Sequence, residues 1–236
     1  MAEPTLEDVL ASRVATYRLL ARLFRVEVDQ ECYDELLGMR FPASTGSEKA
    51  DAGYGAIRRY LATPHPSPLT ELAVDYTRTF IGGGNNGYSA AYPFESVYTS
   101  PKRLLMQGAR DEVLVAYRAA GIDKQPSWKD GEDHIALELE FMQVLGQRAL
   151  DALGAGDEDA AAEHLACQKA FLEDHLGGWF PMMASDMRKF SKTDFYRGLA
   201  DLTAGFLETD RDFLDDVLED EDGQDAAASE PIEVQL

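Results

Sequence analysis

Apolar residues return every three or four positions along most of this chain, and that period dictates amphipathic helices packed on one another. From Leu6 to Phe24 the apolar set is Leu6, Val9, Leu10, Val14, Tyr17, Leu20, Leu23 and Phe24, with Arg13, Arg18 and Arg22 between them and Thr5 placed as N-cap. The same period predicts helices over Leu104–Tyr117, Ile135–Leu150, Leu165–Met183 and Phe195–Leu218, and shorter ones near Cys32–Leu37, Tyr54–Leu61 and Leu69–Phe80. No stretch alternates with period two for long enough to make a strand. The expected class is all-α, a single helical domain.

Breaks fall where Gly, Pro and small polar residues gather, at 41–46, 63–68, 82–92, 123–131 and 154–157. The expected organisation is one helical domain over 1–218, with N-terminal helices to about 122, a linker at 123–131 and C-terminal helices over 132–218. Residues 219–236 hold seven acidic side chains and no basic one, so they read as a disordered acidic tail. The longest break, Gly82–Pro101, carries four glycines, three tyrosines and two prolines, an unusual composition for a connector.

Charge excludes several functions. With 43 Asp and Glu against 22 Lys and Arg the formal charge is −21, which repels nucleic acid and anionic lipid and attracts a cationic partner. The two cysteines, Cys32 and Cys167, form no C-x-x-C pair, so neither a disulfide framework nor a cysteine zinc site is expected. The N-terminus lacks the basic and apolar regions of an export signal, and no apolar run approaches the length of a membrane span, so a cytoplasmic protein is expected.

Local motifs each have an ordinary reading beside a chemical one. Gly82, Gly84 and Gly87 satisfy G-x-G-x-x-G, but the segment before them reads as helix and Pro93 follows, so a flexible loop is the simpler account. His134 and Glu138 share a helix face at i, i+4, yet no further ligand spacing surrounds them, so no metal is expected and Asp133 reads as an N-cap or first-turn carboxylate beside a groove-edge His134. Ser89, Ser96 and the cysteines lack a nucleophile elbow, so no enzyme is expected. Tyr88, Tyr92, Phe94, Tyr98 and Trp128 read as loop anchors or as the walls of a peptide groove, and Trp179, Phe180, Met182 and Met183 as core.

Three segments taken together carry more than any of these: Leu72-Ala-Val-Asp-Tyr-Thr-Arg-Thr-Phe-Ile-Gly82, Tyr92-Pro-Phe-Glu-Ser-Val-Tyr98 and Glu132-Asp-His-Ile-Ala-Leu-Glu-Leu-Glu-Phe-Met142. In order and spacing the chain resembles the TorD/DmsD family of cytoplasmic chaperones for molybdoenzymes exported by the twin-arginine route, over roughly Leu6–Leu218. It departs from the family pattern at Thr79, where Leu is frequent, and at Asp130-Gly131, where Glu-Pro is common.

The resemblance implies an all-helical binding protein, a bundle of about ten helices, that holds the twin-arginine signal peptide of a DMSO- or TMAO-reductase-like enzyme, delays export and assists molybdopterin insertion. The cofactor would be handled only through the apo catalytic subunit, and none would be bound stably by the chain. The residues carried over are Asp75, Tyr76, Phe80 and Gly82, then Tyr92, Glu95, Ser96 and Tyr98, then Asp133, His134, Glu138 and Glu140, and Phe94 and Trp128 join them as groove aromatics. Carboxylates beside apolar walls suit a peptide of two arginines and an apolar run. Two other readings stand beside this one: a nucleotide-regulated protein using GTP at the Gly82, Gly84 and Gly87 loop, and an assembly factor for a subunit that is never exported. Either a monomer or a helix-exchanged dimer is compatible with the 123–131 linker.

Overall fold

Thr5 opens the first helix as expected, its hydroxyl accepting the Asp8 N–H while the Asp8 carboxylate accepts the Thr5 N–H in a capping box. In this computed structural model, which describes residues 4–42, 44–82 and 89–228 with side chains to 219, α1 runs over Leu6–Arg25. Asp29 caps α2 (Gln30–Gly38), Ser47 caps α3 (Glu48–Ala62), and Pro68 stands in the first turn of α4 (Pro68–Tyr76). The remaining helices are α5 (Glu95–Thr99), α6 (Gly108–Ala119), α7 (Ile135–Gly154), α8 (Glu158–Phe171), α9 (Gly177–Phe190) and α10 (Asp194–Ala228). Among the described residues these ten α-helices and two π-turns are the named elements, and none is a strand.

Three expectations of local structure are corrected. The Leu104–Tyr117 helix begins only at Gly108, because Arg103 and Met106 take left-handed backbone angles (φ 51° and 55°) that a right-handed helix excludes. Leu104, Leu105 and Met106, which supplied part of the period, are exposed instead. The Leu165–Met183 helix is two helices joined by a π-turn at Leu172–Leu176, where the Gly177 N–H reaches back to the Leu172 carbonyl and a Cβ on Gly177 would stand 2.8 Å from that oxygen. Finally, the Gly82–Pro101 stretch, read as a loop throughout, contains α5. The acidic segment from Glu219 onward falls on the last turns of α10 and on residues beyond those described.

α1 packs on α7, α7 on α8, and α3 on α10, so early and late helices interleave around one core holding Tyr17, Phe24, Trp179, Phe180, Phe195 and Tyr196. The α3–α10 contact is made backbone to backbone. A Cβ on Gly53 would fall inside the Leu202 backbone, and one on Gly205 inside that of Ala50. Buried Arg13 of α1 meets Asp210 of α10 at 2.6 and 2.9 Å, and Tyr17 Oη donates to the same carboxylate at 2.7 Å.

Candidate functional site

The run Glu132-Asp133-His134 fixes three separate pieces of chain. Glu132 pairs with Arg110 of α6 and with Lys124 of the linker, the latter at 2.6 Å. Burial opposes its charge, but those two cations prevail and hold its carboxyl down at about 2. Asp133 Oδ2 accepts the Ser96 N–H at 3.0 Å, and its carbonyl accepts the Glu95 N–H at 2.9 Å, so it caps α5. The N-cap of α7 is His134, whose Nδ1 accepts the Ala136 N–H at 3.0 Å. A short antiparallel bridge between Phe94 and His134 completes the join.

His134 lies beneath the surface, not at a groove edge: its ring sits between Phe94, 5.0 Å away, and Trp128, 5.1 Å away, both edge-on. Burial, with the Arg25 cation nearby, pushes its pKa down to about 3, so the imidazole is neutral at pH 7 and carries its proton on Nε2. Arg25 in turn stands over the Trp128 ring at 5.3 Å and pairs with Glu140 at 2.8 Å, and Trp128 Nε1 donates to the Gly131 carbonyl at 3.3 Å. A Cβ at Gly131 would stand 2.8 Å from Asp133 Oδ1, which explains the small residue in the linker.

Behind this join lies a knot of buried acids. Glu95 and Glu138 are 3% and 0% exposed, and the Glu95 carboxylate meets His175 Nδ1 at 3.0 Å. Glu138 Oε2 accepts the Trp179 Nε1–H at 3.0 Å. Burial and the neighbouring Glu95 charge raise the Glu138 pKa well above its ordinary value. Tyr98 stacks on Trp179 with ring centroids 5.6 Å apart. Sequence reasoning missed His175 because it lies 80 residues from Glu95, and the one local signal was an acid at 138 inside an otherwise apolar run.

The remaining expected residues are dispersed. Asp75 is buried and accepts the N–H groups of Lys192 (2.9 Å) and Thr193 (2.7 Å) and the Thr193 hydroxyl, anchoring the start of α10. Tyr76 donates to the Phe24 carbonyl, and Phe80 packs on Phe24, Tyr76 and Tyr196. Gly82 ends the π-turn Thr77–Ile81 with φ 75°, a left-handed geometry that suits glycine. Tyr92 is half-buried. Gly84 and Gly87 lie outside the described residues. The structure therefore gathers Phe94, Glu95, Ser96, Tyr98, Trp128, Asp133, His134 and Glu138 at the α5–α7 junction, and sets Asp75, Tyr76 and Phe80 in the core. Glu140, half-exposed, faces a different wall of α7.

Among the described residues no three His, Cys, Asp or Glu side chains come together as a metal set, and no helix is long and apolar enough to cross a membrane. The described residues form a helical bundle whose charged motif locks its own helices together, with open grooves between helices. Residues 47–185 match the family described as nitrate reductase delta subunit, and the chain belongs to this family, whose TorD branch comprises redox-enzyme maturation chaperones. It is 25% identical to the chaperone protein TorD of Psychrobacter sp. (strain PRwf-1) over 89% of this chain and 95% of that one. It is 23% identical to that of Shewanella piezotolerans over 91% and 97%. With that of Photobacterium profundum it shares 29% identity over 61% and 64%.

Proposed function

We propose that this chain is a cytoplasmic chaperone that binds the twin-arginine signal peptide of a molybdenum oxidoreductase, delays its export and assists molybdopterin insertion into the apo catalytic subunit. The observation that carries this reading is the similarity, over nearly the full length, to proteins named chaperone protein TorD. The excess of 21 negative charges supports it by favouring encounter with an arginine-bearing peptide. The cofactor stays with the client, and the chaperone contributes the surface that holds the client's leader.

The test is calorimetric titration with the signal peptide of a molybdoenzyme encoded beside this chain, and with the same peptide carrying two alanines in place of its arginines. Saturable heat with the first and weakened binding of the second is the expected result. No binding to either peptide, with binding to the mature apo subunit retained, would replace the reading with that of an assembly factor indifferent to the leader.

A further inference from the structure

Because Asp133, Glu95 and Glu138 are buried and engaged, an incoming pair of arginines cannot reach them without opening the α5–α7 junction. An open trough lies elsewhere, between α1, α2 and α7, with a volume of about 970 Å³, at the upper end of ordinary ligand sites. Its floor on α1 is low: Ala11 and Ala15, one turn apart and both exposed, allow another backbone to approach, with Leu19 beside them. Met39, 40% exposed at the end of α2, adds an adaptable apolar wall.

The charges of the trough are arranged asymmetrically. On α1, Arg22 is neutralised by Asp29 at 2.9 Å and Arg25 by Glu140 at 2.8 Å. On α2, Glu31 and Glu35 are exposed one turn apart, and neither has an ion pair among the described residues. The Cβ atoms of residues at i and i+4 stand about 6 Å apart, so both carboxylates are within reach of two neighbouring arginine side chains. Arg18 is likewise exposed on α1 and unpaired among the described residues.

We propose that this trough is the seat of the twin-arginine peptide, with its arginine pair on Glu31 and Glu35 and its apolar run laid as a helix along Ala11, Ala15 and Leu19. The proposal rests on the signal-peptide reading above and moves the contact surface away from the Asp133–His134 pair. That pair becomes a positioning element: it holds α7, and with it Glu140 and the far wall of the trough, against α5 and the linker.

The probe is a fluorescent synthetic peptide of two arginines followed by a leucine-alanine run, titrated by anisotropy at low and at physiological salt. Removing both carboxylates in E31Q/E35Q is expected to weaken binding about fivefold and to flatten its salt dependence. R18Q, which removes a repelling charge, is expected to tighten binding about twofold. A15W fills the floor and is expected to abolish binding, while circular dichroism shows unchanged helix content and melting for all three variants. Wild-type binding that none of the three variants alters would overturn the trough while leaving the signal-peptide reading standing. Failure of the wild-type chain to bind both this probe and a natural leader would overturn that reading, and the trough assignment with it.

Discussion

The carboxylate of Asp133 accepts the backbone N–H of Ser96 across 37 residues of sequence, so the residue just before the N-cap of α7 serves as the cap of another helix. α5 is only five residues long and could not persist without such support. Asp133→Ala should lower stability by about 2 kcal/mol by orphaning that donor, whereas Asp133→Asn, which keeps an acceptor, should lose less than half of that. Urea unfolding of the two variants measures the difference. Equal losses would mean that the charge and not the cap carries the effect.

Glu138 sets the alkaline limb of stability. Its folded pKa is raised above the unfolded value of 4.5, so its contribution is fully present below that pH and declines as pH rises through the folded pKa. Glu138→Gln keeps an acceptor for Trp179 and removes the titration. The variant should therefore gain stability over wild type progressively as pH rises above 4.5, read as midpoints of chemical unfolding. Parallel curves for the two proteins would contradict a raised carboxyl pKa at Glu138.

His134 sets the acid limb with the opposite sign. Its pKa falls from 6.5 to about 3 on folding, so within that window the unfolded chain binds a proton that the native one refuses. Stability should drop by up to about 1.4 kcal/mol for each pH unit below 6.5 until both forms are protonated. His134→Asn, which can still accept from Ala136, should flatten this limb, and the imidazole nitrogen shifts should remain those of the Nε2–H tautomer at pH 5.

Two glycine substitutions should act in opposite directions. Gly205→Ala gains helix propensity of up to about 1 kcal/mol but drives a methyl into the Ala50 backbone, so a net loss of about 2 kcal/mol or more is expected. Gly178→Ala, with nothing within 4 Å of the new carbon, should raise stability by up to about 1 kcal/mol. Thermal melts of the pair decide whether the α3–α10 contact is as close as the structure shows.

Thr79 is fully buried, and its hydroxyl has no hydrogen-bond partner among the described residues. Thr79→Val removes that unpaired group at nearly constant shape and should stabilise the protein by about 1 kcal/mol. A loss on chemical unfolding would show that the hydroxyl has a partner.

The long helices were legible because a buried stripe imposes its period on sequence, and Thr5 was legible as a cap because threonine favours that position. α5 was not, because five residues cannot display a period. The arginine stripe of α1 was visible, but its facing wall, Glu31 and Glu35, belongs to a helix joined by a short turn, and only the fold brings the two together. The fold sets the motif residues Asp133 and His134 beside Phe94 and Glu95. Their inward orientation was hidden, since a spacing of i, i+4 does not tell which face is covered when the first turns of a helix are buried all round. Gly53 and Gly205 passed unnoticed because a glycine within a helical period carries no sign of what approaches it.

The interleaving of early and late helices has a consequence for biosynthesis. α1 waits for α7, and α3 waits for α10, so a chain leaving the ribosome exposes the apolar faces of its first third until nearly the last helix has emerged. The chain thus passes through an interval in which its own helices have no cover, and slow synthesis of the 123–193 region would lengthen it.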